Sequence, residues 1–104
     1  MNDKLQLIVR KGATQLEKHK LGPETTLGCG RSSSNEIVLT DRAVSRFHAR
    51  FTTENGVLAV EDLGSMNGTL VNGQTIQAKT PVLPGDIVEM GPFEIRLETA
   101  KTPS

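Results

Sequence analysis

The sequence predicts an all-β fold, either a β-sandwich or a β-barrel, and three observations indicate it. No segment keeps apolar residues at positions i, i+3, i+4 and i+7 over the length of a helix. The 10 glycines and 5 prolines are spread along the chain and divide it into short pieces. Several of these pieces alternate apolar and polar residues, which is typical of strands with one buried face.

Four strands are predicted in the first part of the chain. Residues 5–9 alternate apolar and polar side chains, and residues 14–21, which are more polar, can pair back on them as a hairpin. Residues 25–30 and 36–39 follow, with a run of serines and one asparagine between them. We expect Cys29, near the end of the third strand, to be a buried residue without redox function.

The second part of the chain predicts five more strands, at 47–52, 57–61, 69–71, 87–90 and 93–97. In the first of these, Phe47, Ala49 and Phe51 are expected to face the core. An Asn-Gly turn at residues 55–56 joins the first two. We predict one domain over residues 1–98 and a C-terminal tail or linker at 99–104.

Composition excludes several classes of function. The chain has 104 residues, with 12 Lys and Arg against 12 Asp and Glu, so its formal net charge is +0. Nucleic-acid binding usually needs a basic surplus, and none exists here. No apolar run reaches the ~20 residues of a membrane helix, and the start does not resemble a signal peptide. A single cysteine argues against a disulfide and against a cysteine-built zinc site. We therefore expect a cytoplasmic, monomeric domain without cofactor or metal, contacting neither nucleic acid nor membrane.

Two motifs carry side chains that suit anion binding. Gly30-Arg31 ends a strand, where glycine permits close backbone approach and the arginine presents a planar fork of donors. Ser45-Arg46-Phe47-His48 precedes another strand and offers a hydroxyl and a second guanidinium. Each motif is also compatible with an ordinary surface loop.

The serine and histidine of the second motif also permit a hydrolase interpretation, with His48 as base and Ser45 as nucleophile. That interpretation lacks a nucleophile elbow and an oxyanion-hole motif. We prefer a structural role for His48, in which its ring tethers a neighbouring loop. The sequence therefore predicts no catalytic residue.

Two further motifs are turn signals. Residues 62–73 contain two Asn-Gly dipeptides, Asn67-Gly68 and Asn72-Gly73, around a short strand. Residues 83–86, Leu-Pro-Gly-Asp, form a turn that leads into the next strand. Turn chemistry alone explains both.

Taken together and in this order, the four motifs resemble the forkhead-associated (FHA) domain, a phosphopeptide-recognition module. The resemblance extends from about residue 5 to residue 98. It implies a β-sandwich of eleven strands whose loops at one end bind phosphothreonine in an extended peptide.

The resemblance also implies roles for individual residues. Arg31 pairs with the phosphate, Ser45 donates a hydrogen bond to it, and Arg46 adds a further polar contact. Asn67 holds the peptide main chain, and Ser65 borders the pocket. Three residues are expected to shape the loops without touching the ligand: Gly30, His48 and Gly68.

One residue departs from the family pattern. Met66 stands before Asn67-Gly68, where many members have threonine or another polar residue. A thioether cannot donate a hydrogen bond to phosphate. This departure bears on affinity and selectivity, and the resemblance as a whole still implies phosphothreonine-dependent protein binding in Ser/Thr kinase signalling. A phosphate-independent interaction domain of the same fold stays an alternative.

Overall fold

The computed structural model describes residues 4–100, which form eleven strands and no helix. The strands are β1 (Lys4–Lys11), β2 (Thr14–Leu21), β3 (Thr25–Gly30), β4 (Ile37–Val38), β5 (Ala49–Glu54), β6 (Val57–Asp62), β7 (Leu70–Val71), β8 (Gln74–Thr75), β9 (Thr80–Val82), β10 (Ile87–Met90) and β11 (Phe93–Ala100). They confirm the predicted all-β sandwich. In this described part, nothing helical is available to cross a membrane.

The strands form two sheets. One has six strands in the order β2-β1-β11-β10-β7-β8, and the other has five in the order β4-β3-β5-β6-β9. All pairings are antiparallel except β3 with β4, which is parallel. The apolar core contains inward side chains of both sheets, among them Leu7, Phe51, Val60 and Ile95.

Several strands match their predicted bounds, whereas β8 and β9 have no counterpart in the sequence prediction. The last strand continues to Ala100, two residues into the predicted tail, and the rest of that tail lies outside the described residues. Cys29 is fully buried, as predicted, and burial raises the pKa of its thiol to about 12. The Cys29 thiol is therefore unionised at neutral pH.

The prediction for Phe47 is wrong. Its side chain is 53% exposed, and β5 begins only at Ala49. The inward position is taken instead by His48, which is fully buried beside the buried Ala49. Two consecutive buried residues break the alternation of a strand, so Phe47 turns outward.

The two long central strands of the six-stranded sheet determine which end of the sandwich is which. β1 and β11 pair along their whole length, from Lys4 opposite Ala100 to Lys11 opposite Phe93. At the second of these ends, the Lys11 ammonium lies 3.8 Å from the Asp41 carboxylate, and Gly91 lies against Ala43. The loop after β4 therefore lies at the end of the sandwich opposite to Lys4 and Ala100.

Candidate functional site

Three loops meet at this end of the sandwich, and hydrogen bonds fasten them together. The backbone N–H of Arg31, after β3, donates to the Ser45 carbonyl at 2.9 Å, and that of Ser32 donates to the Arg46 carbonyl at 3.1 Å. The loop between β6 and β7 joins them where the Met66 N–H donates to the Ser45 hydroxyl at 3.0 Å. These hydrogen bonds hold residues 31–32, 45–46 and 66, which are far apart in the sequence, in one rigid unit that we call the platform.

Gly30 lies directly beneath the Ser45–Arg46 backbone. A Cβ atom at residue 30 would lie 2.2 Å from the Arg46 carbonyl oxygen and 2.9 Å from that of Ser45. Side chains do not tolerate such distances to backbone atoms, so only glycine fits here without moving the loop. This steric limit explains why Gly30 precedes Arg31.

Four side chains lie on the outer side of the platform. We call this set the rim, and it consists of Arg31, Ser45, Arg46 and Asn67. The Nε of Arg31 donates to the Val44 carbonyl at 3.1 Å, which orients the guanidinium, and its two terminal nitrogens bond to none of residues 4–100. The Ser45 hydroxyl oxygen accepts the Met66 N–H, and the hydroxyl proton has no acceptor within residues 4–100. Arg46 is exposed. The rim therefore presents several unused donors on a fixed backbone.

Asn67 holds the third loop against the second. Its side-chain nitrogen donates to the Ala43 carbonyl at 2.9 Å. Within the described chain its side-chain oxygen has no donor, so it remains available to accept a hydrogen bond. The next residue, Gly68, has a φ of +83°, a left-handed conformation that glycine adopts without strain.

Asn35 supports the rim from below, and the sequence analysis missed it. Its side-chain nitrogen donates to the carbonyls of Ser32 and Arg46 at 2.9 and 2.8 Å. The polar run 32–35 is thus a folded turn that braces the Arg46 backbone. An asparagine at the end of a serine run indicates such a turn, but its partner 11 residues away leaves no local signal.

Beneath the rim lies a second polar group, which we call the hub: His48, Asp62, Ser65, Gly68 and Thr69. One carboxylate oxygen of Asp62 accepts from the hydroxyls of Ser65 and Thr69, the latter at 2.7 Å, and the other accepts the Ser65 N–H at 2.8 Å. The Ser65 hydroxyl also accepts the Gly68 N–H at 2.9 Å. These hydrogen bonds within residues 62–69 fix the conformation of this loop.

The hub lowers the pKa of the Asp62 carboxyl. Burial acts to raise that pKa, but hydrogen bonds from Ser65 and Thr69, with the His48 ring nearby, outweigh it. The carboxyl is consequently ionised throughout the neutral range, where it accepts three hydrogen bonds at once.

His48 joins the hub to the rim. Its Nδ1 accepts the backbone N–H of Ser45 at 3.0 Å, so Nε2 is assigned the proton and donates to the Gly68 carbonyl at 2.8 Å. Both ring nitrogens of this fully buried side chain are therefore engaged with backbone groups. The Ser45 hydroxyl contacts the Met66 N–H and not the imidazole, which is not the geometry of a serine nucleophile and its base.

Ser65 has a different environment from the other predicted contact residues. Its hydroxyl donates to Asp62 and accepts from Gly68, so its hydrogen-bonding capacity is used inside the loop. In this structure Ser65 shapes the 62–69 loop beneath the rim. Asp62 and Thr69 were not singled out from the sequence, although an aspartate followed by a serine three residues later is a local signal for an Asx-type turn.

The two turn motifs behind the site stabilise each other. The Asn72 side chain donates to Asp86 at 3.0 Å and accepts the Ile87 N–H at 3.0 Å. The second Asp86 oxygen accepts the Leu83 N–H at 2.8 Å, and this bond, followed by that from Asn72, lowers the pKa of the Asp86 carboxyl. Both motifs therefore have an architectural function.

Comparison with known proteins gives a consistent result. The sequence profile of the FHA domain matches residues 27–91. The chain is 37% identical over 89 residues to "Glycogen accumulation regulator GarA" of Mycolicibacterium smegmatis, covering 86% of this chain and 55% of that protein. The chain thus spans about half the length of this relative.

Solved structures of FHA domains have the same fold. One, from "Structural and functional analysis of phosphothreonine-dependent FHA domain interactions", superposes with a TM-score of 0.80 at 27% identity, covering 97% of this chain and 99% of that one. The FhaA FHA domain, crystallised with the intracellular domain of Rv3910, gives a TM-score of 0.79 at 28% identity, covering 90% and 99% of the two chains.

Proposed function

We propose that this chain, which belongs to the forkhead-associated (FHA) domain family, is a phosphothreonine-dependent protein-interaction module in Ser/Thr kinase signalling. The observation that carries the proposal is the rim, where Arg31, Ser45 and Asn67 converge from three loops that hydrogen bonds hold together. These are the residue types that recognise a phosphate on an extended peptide.

The chemistry of the rim suits a phosphorylated side chain. A phosphothreonine carries a charge of about −1.5 to −2 near pH 7 and three strong acceptor oxygens. The terminal nitrogens of Arg31 can give two parallel hydrogen bonds to two of these oxygens. The Ser45 proton and the Arg46 guanidinium supply further donors, while the free side-chain oxygen of Asn67 is suited to a peptide N–H.

The platform also lowers the cost of binding. Because the backbones of Arg31, Ser45 and Asn67 are already fixed by Gly30, His48 and the hub, the donors need little ordering when ligand arrives. A neutral protein can therefore bind a dianion through a few converging donors.

The comparisons support the proposal at the level of the family. One similar structure was solved in a study of phosphothreonine-dependent FHA interactions, and another contains a protein partner. The GarA relative is named as a regulator. A module that binds a partner and catalyses no reaction is the role that fits both these names and the engaged nitrogens of His48.

The proposal is tested by titrating matched peptides. An oriented library with a fixed central phosphothreonine selects a sequence, which is then compared with its unphosphorylated form by fluorescence anisotropy. Loss of the phosphate removes at least two charge-assisted hydrogen bonds, so we expect binding to weaken at least tenfold. Equal affinity for both forms would indicate a phosphate-independent interaction domain and overturn the proposal.

A further inference from the structure

The loops of the site carry three arginines, at positions 31, 42 and 46. Arg31, Arg42 and Arg46 are exposed, and none forms an ion pair with a carboxylate in residues 4–100. Elsewhere, four cations lie within 4.0 Å of a carboxylate: Lys11 with Asp41, Arg50 with Glu61, Lys79 with Glu54, and Arg96 with Glu94. The site end therefore keeps its guanidinium groups available.

The carboxylates near the site do not compensate these arginines. Glu36 accepts the Gly28 N–H at 2.6 Å, and Asp41 accepts the Ala43 N–H at 2.9 Å while its other oxygen faces Lys11. Asp62 is committed to the hub. Each of these carboxylates contacts backbone, hydroxyl or lysine groups of the protein, and none contacts a guanidinium group of Arg31, Arg42 or Arg46.

The position of Arg42 separates it from the proposed phosphate contacts. Arg31 is fixed on the Ser45 side of the platform, where its Nε donates to the Val44 carbonyl. Arg42 precedes Ala43, whose carbonyl accepts the side-chain nitrogen of Asn67. Asn67, which we propose holds the peptide main chain, thus contacts the loop that carries Arg42, so we expect an extended peptide bound at Arg31 and Asn67 to run along this loop.

The charge of one phosphate is nearly matched by two of the three arginines. A phosphothreonine brings about −1.5 to −2, which Arg31 and Arg46 balance. Arg42 is left without a partner in the protein or in the phosphate. A second anion on the ligand, close to the phosphothreonine, would complete the charge balance.

We propose, relying on the phosphothreonine function above, that Arg42 is a specificity-determining residue that selects ligands with a second anionic group beside the phosphothreonine. That group is either a carboxylate of aspartate or glutamate or a second phosphorylated residue. One exposed ion pair corresponds to a gain of about two- to fivefold in affinity. A second phosphate carries more charge and gives a gain of up to about tenfold.

The experiment compares four peptide probes of about nine residues, all with a central phosphothreonine. One has only neutral flanks, two have a pair of aspartates on the amino or the carboxyl side, and one has a second phosphothreonine. Each is titrated at about 50 and 500 mM NaCl against the wild type, Arg42→Gln and the control Arg50→Gln. Arg50 is also an exposed arginine but is paired with Glu61, 3.2 Å away on β6.

We expect at least one anionic probe to bind the wild type more tightly than the neutral probe, with a difference that shrinks at high salt. Arg42→Gln removes this gain and leaves the affinity for the neutral probe within about twofold, whereas Arg50→Gln changes neither. The aspartate and double-phosphate probes then distinguish the source of the second charge.

Three outcomes would overturn the inference: no gain for any anionic probe, a gain that persists in Arg42→Gln, or an equal loss for all four probes in that variant. Failure of the proposed function is recognisable separately, because the neutral probe would then bind equally well without its phosphate.

Discussion

The rim draws on all three site loops and the hub on two of them, and their polar groups are used in opposite ways. In the hub, the Asp62 carboxylate and both nitrogens of His48 are satisfied by other groups of the protein. In the rim, the terminal nitrogens of Arg31 and the hydroxyl proton of Ser45 have no partner in residues 4–100. Satisfied polar groups fix a shape, and unsatisfied exposed groups await a ligand. The comparison therefore divides substitutions into those that change stability and those that change affinity.

The largest effect expected is a loss of stability in the hub. His48→Ala removes two hydrogen bonds of a fully buried ring and leaves a cavity, which costs about 2–4 kcal/mol of unfolding free energy. Urea denaturation measures this loss. Peptide binding should weaken only as far as the loops loosen.

His19→Ala is the matched control, because His19 is the chain's other histidine and lies on the strand β2 at the edge of its sheet. It should cost much less than His48→Ala. A His48→Ala protein of normal stability that does not bind peptide would show that the hub and the rim are not separable in this way.

The next effect is a loss of affinity in the rim. Arg31→Ala should weaken phosphopeptide binding at least tenfold, since two charge-assisted hydrogen bonds are lost at about 1.5–3 kcal/mol each. The melting temperature should stay close to that of the wild type, with only the bond from Nε to the Val44 carbonyl removed. Calorimetry and thermal unfolding measure the two quantities independently.

A lysine variant and the pH dependence of binding both test the role of Arg31. Arg31→Lys should recover little affinity, because an ammonium cannot replace the planar fork. Binding to the wild type should weaken as the pH falls through about 6, where the phosphate dianion gains a proton. Wild-type affinity in Arg31→Ala would contradict the phosphate role of the rim.

A smaller effect concerns the methyl group of the ligand. If a space between the Ser45 and Asn67 loops takes the threonine γ-methyl, phosphothreonine should bind more tightly than phosphoserine by about 1 kcal/mol, or roughly fivefold. Met66, 89% exposed, supplies its N–H to Ser45 but not its side chain to that space. Calorimetry on two peptides that differ only in this residue decides the point, and equal affinities would refute it.

The smallest effect concerns the acid dependence of the unfolding free energy, to which Asp62 contributes. The folded state lowers the pKa of Asp62 below its ordinary value of 3.8, so the associated stability is present above that pH and is lost as the pH falls through the folded pKa. Asp62→Asn should therefore flatten the fall of unfolding free energy as the pH drops below about 4. Asp86 has a lowered pKa as well and should preserve part of the slope. An unchanged acid profile in Asp62→Asn would contradict the role of the hub carboxylate.

The sequence predicts the all-β fold and singles out the four rim residues, but it gives little signal for the contacts of the hub. Alternation identifies β1 and β11, but β8 and β9 are two and three residues long and too short to show a period. Phe47 was misassigned because an alternation valid in β5 was extended into a loop. The sequence suggests a tethering role for His48 but does not identify its partners, because the Ser45 N–H and the Gly68 carbonyl are backbone groups that no side-chain pattern records.

The pairing of β1 with β11 has a consequence for mechanical load. Both strands have their outer ends, Lys4 and Ala100, side by side, at the end of the sandwich away from the rim. A force that separates these two residues acts perpendicular to the strands. The hydrogen bonds between β1 and β11 then break one after another, whereas a force along the strands would load them all at once in shear. Separation of β1 from β11 would thus begin at Lys4 and Ala100 and would reach Lys11 and Phe93, at the end where the ligand loops lie, last. A tethered partner could pull on the rim without meeting the same weakness, because the loops there are cross-linked through His48 and Asn67.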